Sequence, residues 1–446
     1  MRDLFITLNI LASFPVILMR PYIGITMWCW LSYMNPHRLT WGFAYYLPFA
    51  LAVALLTMIG TVLSKEPKRL PVNGISVLVV MIAFWVSLTT LFAIMPDYAA
   101  EKWDRTIKIL AMTFMTMVLV TNRERLQALI WIIVLSLGYY GVKGGIFAIV
   151  TAGNYRVWGP QNSFIADNNQ LAFSLLVVLP LIRYLQVTTE NIWVRRALGC
   201  SLLLTGLAVF ASYSRGAFLA ATVVALMLLL KARRKFLISL GLVVVLAVGA
   251  SFAPQQWIER MSTIERYDED GSASGRFDAW KFGYEVAKAN PIFGGGFLVQ
   301  FDHELFMEYV PEAYKPRAFH SIYFEVLGEH GFIGFTLFGM LGLTAAYYCR
   351  WIRVRTKYRP ELKWAHELSN MMFLSFVAYG VGGAFLNMAF YDLLYHLLTI
   401  IMVAKILVQQ NLNETLQAKM RPPLTSGAPV PLPAYQTRND FLVSNR

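Results

Sequence analysis

The sequence predicts an all-α polytopic membrane protein with about 12 transmembrane helices and one long loop domain, and three observations lead to this fold class. Hydrophobic residues make up 57% of the 446 residues, and the mean hydropathy is +0.51, which leaves too little polar surface for a soluble globule. Charged residues account for only 15%, whereas soluble domains carry roughly 25%. These charges fall in short clusters between apolar runs of about 20 residues, the length of helix that crosses a bilayer.

The apolar runs define the predicted transmembrane spans. They cover residues 42–63, 72–94, 106–121, 126–150, 168–187, 197–212, 217–230, 236–252, 321–349, 368–389 and 393–410. The region 4–34 is ambiguous because Pro15 and the pair Arg20 and Pro21 interrupt it, so that it forms either one bent crossing or two short ones. We favour one crossing, which gives 12 spans. No basic region typical of a signal peptide accompanies Arg2, so this first segment is expected to stay in the mature protein.

The distribution of basic residues predicts the orientation of the chain. When alternate loops are assigned to opposite sides of the membrane, one set carries 17 Lys and Arg residues and the opposite short loops carry 5. The first set comprises 64–71, 122–125, 188–196, 231–235 and 350–367, and the second comprises 35–41, 95–105, 151–167 and 213–216. Because basic residues accumulate in cytoplasmic loops, the first set is predicted to lie inside, together with both chain ends if region 4–34 crosses once.

Four segments are predicted along the chain. Residues 1–252 form an N-terminal transmembrane bundle, 253–320 a polar loop domain on the outer side, and 321–410 the C-terminal transmembrane helices. Residues 411–446 are rich in Pro, Ser, Asn and Gln, a composition typical of a disordered tail, which the topology makes cytoplasmic. The loop domain is the only polar segment of domain length, so any chemistry is expected there or at its edges.

Composition argues against several kinds of site. Cys29, Cys200 and Cys349 lie in or beside apolar runs without CxxC spacing, so neither a disulfide framework nor a zinc site is predicted. The net charge of +13 is spread over the ends of apolar runs, as topology requires, and no nucleic acid partner is expected. The acidic run 268–270 could imitate a metal site, but a solvated turn before Gly271 is the favoured interpretation. Neither a metal nor a cofactor is therefore predicted.

Two arginines are candidate anion ligands. Arg215, in the run SYSRGA, occupies a tight turn between two apolar helices, where it is either a snorkelling topology anchor or a phosphate ligand at headgroup depth. Arg276, in SASGRFDAW, follows a predicted turn that leads into a helix, and a helix N-terminus beside a guanidinium suits phosphate. A salt bridge to Asp278 or Glu285 is the alternative for Arg276.

Several proton-handling groups surround the start of the apolar run that follows the loop. His320 lies in PRAFHSIYFEVLGEHGF, where water and headgroups meet, and an imidazole that titrates near working pH suits a general base. Arg317 precedes it by about one turn, and Tyr323 follows it. Glu329 and His330 lie deeper and are expected to pack or pair with each other.

Three further polar sites occur at or within the predicted spans. Asn168 and Asn169 close an outer loop and offer their amides either to sugar hydroxyls or to helix capping. Lys143 falls inside a predicted span, and an intramembrane charge is a functional candidate. Asp392 and His396, four residues apart, are expected to satisfy each other.

Four runs of the sequence resemble the O-antigen ligase and polymerase superfamily. They are SYSRGA after a mid-chain span, GRFDAW and NPIFGGGF in the large outer loop, and AFHSIYFEVLGEHGFIG at the start of the next helix. The order of spans is similar over most of the chain. The long N-terminal region resembles the branch of O-antigen ligases that includes the exosortase-associated O-glycosylation ligases.

The resemblance implies a GT-C-like glycosyltransferase in the bacterial inner membrane, with its active site on the periplasmic side. It implies transfer of a glycan from an undecaprenyl-pyrophosphate-linked O-antigen donor to the lipid A core of lipopolysaccharide, in an inverting, metal-independent reaction. It further implies that Arg215 and Arg276 hold the pyrophosphate and stabilise its charge as it leaves. His320 would take the proton of the acceptor hydroxyl.

Four other residues are predicted to bind substrate. Arg317 is a secondary phosphate contact, and Asn168, Asn169 and Tyr323 are candidate contacts to the glycan. Membrane lipids are the remaining expected partners. Two alternatives use the same donor, an O-antigen polymerase and a protein O-glycosylation ligase, and one belongs to another class, a flippase or transporter of lipid-linked oligosaccharides.

Overall fold

The structure, a computed structural model, describes residues 1–68, 70–231 and 271–420. Over these residues the chain forms 14 α-helices and no β-strand, which confirms the predicted all-α class. Seven of the described helices are long and apolar enough to cross a bilayer, as expected of a polytopic membrane protein. The total of 12 spans stays a prediction, and the predicted span 236–252 lies outside the described residues.

The helices are numbered here in chain order. They are α1 (Arg2–Met19), α2 (Tyr22–Tyr33), α3 (Phe49–Leu63), α4 (Gly74–Leu91), α5 (Pro96–Leu119), α6 (Arg123–Val150), α7 (Asn168–Thr188), α8 (Ile192–Phe210), α9 (Arg215–Lys231), α10 (Gly271–Ala289), α11 (His303–Tyr309), α12 (Ile322–Thr356), α13 (Lys363–Gly383) and α14 (Asp392–Met420). The candidate spans among them are α1, α4, α6, α7, α8, α12 and α14. Contacts divide the chain into two units, Met1–Val408 and Gln409–Arg446, and the site described below lies in the first.

The predicted loop 95–105 is wrong, because α5 begins at Pro96 and carries this segment as helix. Proline at the first helical position and an acid, Asp97, in the first turn both favour a helix start. Most of the charged residues that suggested a loop lie on the outer face of this amphipathic helix, where Asp104 is exposed, whereas Ala99 and Thr106 are buried. Lys102 is the exception, since it points to the inside.

The break between α1 and α2 and the end of α14 change the predicted bounds near the two ends of the chain. Region 4–34 forms two helices, α1 and α2, which separate at Arg20 and Pro21 and both pack against α3. At the other end α14 continues to Met420, so residues 411–420 of the predicted tail are helical. The rest of the predicted tail, 421–446, lies outside the described residues.

The second part of the predicted loop domain forms a small apolar core of its own. Phe282 of α10 stacks on Phe306 of α11, with the ring centroids 4.6 Å apart. The buried members of this cluster are Ala279, Phe282, Val286, Val299, Phe306, Val310, Ala313 and Phe319. Because Phe319 is fully buried in it, the core fixes the backbone immediately before His320. The first part of the loop domain, 253–270, lies outside the described residues.

Helix α10 lies against the start of α12 because glycines let the two backbones meet. A Cβ on Gly328 would lie 3.1 Å from the Cα of Gly283 and 2.7 Å from the Phe319 ring. Trp280 of α10 donates from Nε1 to the carbonyl of Phe319 at 2.8 Å and stacks on Phe324 of α12. The end of the loop is therefore held between the two helices.

Helix α12 is interrupted at Gly331, which has φ of 66° and ψ of −171°. A Cβ there would lie 2.4 Å from the carbonyl oxygen of Ile292, so the position requires glycine. The run NPIFGGGF supports the interruption, since Gly295 and Gly296 donate N–H groups to carbonyls of α12 at 2.8 and 2.9 Å. Backbone groups that the bend exposes are thereby satisfied.

Candidate functional site

Arg215 is the first residue of α9 and follows a turn that several contacts fix. Tyr213 in this turn has φ of 58°, and its hydroxyl donates to a carbonyl of the loop after α6 at 2.5 Å. Asn168 donates from Nδ2 to the carbonyl of Ser212 at 2.7 Å. Ser214 accepts an N–H from the first turn of α9 through its Oγ at 3.3 Å, as a helix cap does. Arg215 therefore follows a short turn that three hydrogen bonds hold, and the sequence predicts a tight turn at this place.

A short segment after α13 contacts both the start of α9 and His320. A Cβ on Gly216 would lie 3.1 Å from the Cβ of Phe385, so α9 begins against that residue. Two residues later, Asn387 accepts the backbone N–H of His320 through Oδ1. Both the start of α9, where Arg215 lies, and His320 thus contact the same short segment between α13 and α14. Sequence reasoning missed Asn387, although a lone amide near the end of the predicted span 368–389 is a signal that could have found it.

His320 has an unusual backbone conformation. Its φ is 47°, in the left-handed region that residues other than glycine rarely adopt. The hydrogen bond to Asn387 and the one from Trp280 to the preceding carbonyl hold it there. Such strained positions are enriched at functional sites because the surrounding structure must be built to maintain them.

Charged groups from three elements act on the His320 side chain. Burial lowers the pKa of His320, and the positive charge of Arg276 lowers it further. Asp167, the N-cap of α7, raises this pKa, and Arg317 lowers it. Because the pKa lies below its ordinary value of about 6.5, the imidazole is neutral at neutral pH. A neutral imidazole is the form that accepts a proton.

Arg276 and Arg317 lie near each other on α10 and on the segment before α12. A Cβ on Gly275 would lie 2.7 Å from the guanidinium carbon of Arg317, which puts Arg317 beside the backbone next to Arg276. The predicted helix start just before Arg276 is wrong, since α10 begins at Gly271. Arg276 is therefore beyond the first four N–H groups, which alone lack partners within a helix. The charge of Arg317 also acts on Asp278.

The three residues predicted to contact the glycan make contacts within the protein. Asn168 is only 3% exposed, and its amide holds the turn before α9. Asn169 donates from Nδ2 to Asp167 at 2.8 Å, so the capping alternative of the sequence analysis describes this cluster. The hydroxyl of Tyr323 donates to a carbonyl of α13 at 2.8 Å. Substrate binding by Asn168, Asn169 and Tyr323 stays a prediction. The charged neighbour in this cluster is Asp167, which raises the pKa of His320.

A buried ion cluster joins α5 to α12. Lys102 Nζ lies 2.9 Å from Glu325 Oε1 and 2.8 Å from both carboxylate oxygens of Glu329. The two glutamate side chains are 3% and 0% exposed. Glu325 also accepts the N–H of Ala389 at 3.1 Å, and Glu329 that of Leu298 at 3.1 Å. The cluster thereby ties the segment after α13 and the glycine run to the interrupted part of α12.

Glu329 and His330 pack against each other as expected, but each makes its shorter side-chain contacts with another residue. His330 Nε2 lies 4.0 Å from the nearer Glu329 oxygen, whereas His330 Nδ1 is 2.7 Å from the hydroxyl of Thr89 on α4. Lys102 is the partner of Glu329, and the sequence analysis missed it because it counted residue 102 in a solvated loop.

Asp392 and His396 also find their side-chain partners elsewhere, on α2. Ser32 donates to Asp392 at 2.8 Å, and the hydroxyl of Tyr33 lies 2.6 Å from His396 Nδ1. Between the two residues themselves, His396 Nδ1 lies 3.0 Å from the Asp392 carbonyl. These groups stabilise the contact between α2 and α14.

The described residues form no group of three or more His, Cys, Asp or Glu side chains that could hold a metal ion. The acidic run 268–270 lies outside the described residues, so the absence of a metal in the reaction stays a prediction.

Comparison with known families matches two parts of the chain. Residues 200–339 match the family described as O-antigen ligase, and this match includes Arg215, Arg276, Arg317 and His320. Residues 1–190 match a family of unknown function, DUF5935. No curated protein matches the chain significantly. The first match supports the O-antigen ligase superfamily that the sequence motifs resemble.

Proposed function

We propose, from the match of residues 200–339 to the family described as O-antigen ligase, that this membrane protein is an O-antigen ligase, an inverting, metal-independent glycosyltransferase. Its donor is a glycan on undecaprenyl pyrophosphate, and its acceptor is the lipid A core of lipopolysaccharide. The enzyme lies in the bacterial inner membrane with its site on the periplasmic side, and the fold is GT-C-like. The proposal includes the four predicted segments, with 1–252 and 321–410 as the transmembrane parts, 253–320 as the outer loop domain and 411–446 as the cytoplasmic tail.

One observation carries the proposal. His320, at the end of the loop domain, is held by Asn387 in a left-handed conformation and is flanked by Arg276 and Arg317. A neutral imidazole beside two guanidinium groups combines a proton acceptor with a binding site for a polyanion. That pairing fits a reaction in which a hydroxyl attacks and a pyrophosphate leaves.

The proposed step uses each group once. The acceptor oxygen attacks the anomeric carbon and gives its proton to His320. A new C–O bond forms as the bond from the anomeric carbon to the pyrophosphate oxygen breaks, and the electron pair leaves with the pyrophosphate. Arg215 and Arg276 stabilise the negative charge that grows on it, a task that a divalent metal performs in other enzymes. Arg317 contributes a further contact to phosphate.

The test is glycan transfer by the purified full-length protein from an undecaprenyl-pyrophosphate glycan to purified lipid A core. His320→Ala is expected to lower the rate about 100-fold or more, the usual effect of losing acid–base assistance, with an unchanged melting temperature. His303→Ala is the matched control, because His303 is an exposed histidine of the same loop domain and its loss is expected to leave transfer unchanged. Full activity of a folded His320→Ala protein would refute the role of His320 as a base.

The same assay tests the absence of a metal. Transfer is expected to continue in EDTA, since arginines supply the positive charge. If EDTA stopped transfer and magnesium or manganese restored it, the acidic run 268–270 would become the candidate site and the arginines would be supporting residues.

A flippase or transporter of lipid-linked oligosaccharides is the second candidate. It would also use arginines to bind a lipid pyrophosphate, but it needs no base. Movement of the lipid across proteoliposomes by the His320→Ala protein, without transfer by the unsubstituted protein, would favour it.

A further inference from the structure

The structure has a lateral groove between α6 and α8 with a volume of about 640 Å³. Eight residues of α6 between positions 131 and 146 and four residues of α8 between positions 194 and 201 line it. Apart from Lys143, Ser201 and Gly138, every lining residue is apolar or aromatic. Both helices are candidate spans, so the groove opens toward the lipid.

The groove lies beside a close contact between the two helices. A Cβ on Gly141 would lie 2.2 Å from Thr205 Oγ1, and one on Gly145 would lie 2.3 Å from the Leu204 carbonyl. This small-xxx-small spacing lets the helices pack tightly.

Lys143 stands at one end of this groove. It is exposed, and within residues 1–68, 70–231 and 271–420 no acidic side chain pairs with it. It is 20 residues after Arg123, the first residue of α6, which corresponds to about 30 Å along a helix. That length equals the thickness of the hydrocarbon core, about 30 Å. With Arg123 at one membrane surface, Lys143 therefore lies near the opposite end of the hydrocarbon core, from where a lysine side chain can extend to the phosphates of that leaflet.

We propose that the groove between α6 and α8 is a binding site for one anionic phospholipid, with the lipid phosphate on Lys143 and an acyl chain along the groove. Charge complementarity selects the ligand. Lys143 is the only charged residue among those that line the groove, so a lipid of net negative charge fits. A zwitterionic lipid carries an ammonium group in addition to its phosphate, and the lining offers no acidic side chain to pair with that group. Tyr139, one helical turn before Lys143 on the same face, offers its hydroxyl to the headgroup.

Two substitutions separate the charge from the cavity. Lys143→Met removes the charge and keeps an apolar side chain of similar length. Gly138→Leu fills the groove, and it is sterically allowed because a Cβ at Gly138 meets only Ser201 Oγ, at 3.7 Å. The matched controls are Lys108→Met, which removes an exposed lysine of α5, and Gly206→Leu on α8, where a Cβ would meet nothing within 4 Å.

The experiment measures retention of phosphatidylglycerol and phosphatidylcholine by native mass spectrometry of the full-length protein in neutral detergent. The unsubstituted protein and both controls are expected to retain one phosphatidylglycerol in preference to phosphatidylcholine. Lys143→Met should weaken phosphatidylglycerol binding about tenfold, the effect of losing about 1.4 kcal/mol, and abolish the preference. Gly138→Leu should abolish binding of both lipids at this site.

Two results would overturn the proposal. One is equal retention of the two lipids by the unsubstituted protein, which would indicate an unspecific lipid annulus. The other is unchanged phosphatidylglycerol retention in both Lys143→Met and Gly138→Leu. If Gly138→Leu does not fold, Ala197→Leu on the α8 wall of the groove replaces it, with the same expected loss of binding.

Discussion

Three charged side chains set the protonation of His320, and each has a defined sign. Arg276 and Arg317 favour the neutral imidazole, and Asp167 favours the charged one. Burial acts in the same direction as the arginines and is the largest contribution. An imidazole accepts a proton only when it is neutral. The arginines that bind the donor in the proposed mechanism therefore also keep His320 neutral, and able to act as a base, at lower pH.

The first prediction concerns the pH dependence of transfer. The acidic limb of the rate profile is expected to have its midpoint below the ordinary histidine pKa of about 6.5. Arg276→Gln removes a charge that lowers the pKa of His320, so the midpoint should move to higher pH while the rate on the plateau falls. Rates measured from pH 4 to 9 provide the test. A midpoint that stays in place or moves to lower pH would contradict the effect of the Arg276 charge on the pKa of His320.

The second prediction distinguishes charge from geometry at Arg215. Arg215→Lys keeps the charge but lacks the two-pronged guanidinium that matches phosphate oxygens. Because hydrogen bonds fix the turn before α9, the backbone is not expected to move so as to restore the phosphate contacts that lysine lacks. We expect a loss of about 2 to 4 kcal/mol of transition-state stabilisation, or roughly 30- to 1000-fold in rate. Arg105→Lys, at an arginine that is 62% exposed, is the control, and full activity of Arg215→Lys would identify Arg215 as a membrane anchor.

Sequence patterns located the residues with strong local signals and missed those defined by distant contacts. Arg215, Arg276 and His320 lie within short motifs, so a sequence analysis can propose them directly, and their roles stay predictions. Asn387 and Lys102 were missed, because their partners His320 and Glu329 are 67 and 227 residues away in the chain. No local periodicity reports a contact of that separation.

At the scale of elements, α5 gives the clearest reason why boundaries were misplaced. Hydropathy assigns a segment with several charged residues to a loop, but an amphipathic helix at a membrane surface carries such residues on one face. The first three turns of α5 therefore appeared to be solvated, and the buried Lys102 among them was counted as a loop residue. The ion cluster that it forms with Glu325 and Glu329 links α5, α12 and the segment after α13.

The third prediction tests this cluster. Lys102→Met leaves two buried carboxylates without their cation, and breaking a buried ion pair in this way typically costs about 3 to 5 kcal/mol. The melting temperature in detergent should fall clearly. Lys108→Met, on the same helix but at a pair that is 48% and 57% exposed, should change it little, since exposed pairs contribute about 0 to 1 kcal/mol.

A compensated variant shows whether charge is the cause. Glu325→Gln and Glu329→Gln combined with Lys102→Met remove all three charges and keep the acceptor oxygens. This triple variant is expected to recover most of the lost stability. A triple variant as unstable as Lys102→Met alone would assign the loss to packing.

At the scale of the whole molecule, the arrangement of helices supports a membrane protein, whereas its orientation rests on the basic residues alone. The structure improves the choice of positions for testing orientation. Thr356, near the end of α12, is only 2% exposed and would be a poor site for chemical labelling. Tyr314 in the loop domain is 89% exposed, and Tyr358 after α12 is 84% exposed. These two tyrosines form a matched pair, one for each side of the membrane.

The last prediction is that the two tyrosines face opposite sides. Tyr314→Cys and Tyr358→Cys are introduced into a chain in which the exposed Cys200 is replaced by alanine, while the buried Cys29 and Cys349 remain. In intact cells with a permeabilised outer membrane, an impermeant thiol reagent should label Tyr314→Cys and should label Tyr358→Cys only after lysis. The reason is that the proposed cytoplasmic loops carry 17 basic residues against 5 in the opposite set. Labelling of Tyr358→Cys alone in intact cells would invert the topology and move His320 to the cytoplasmic side, where a periplasmic transfer to lipid A core is impossible.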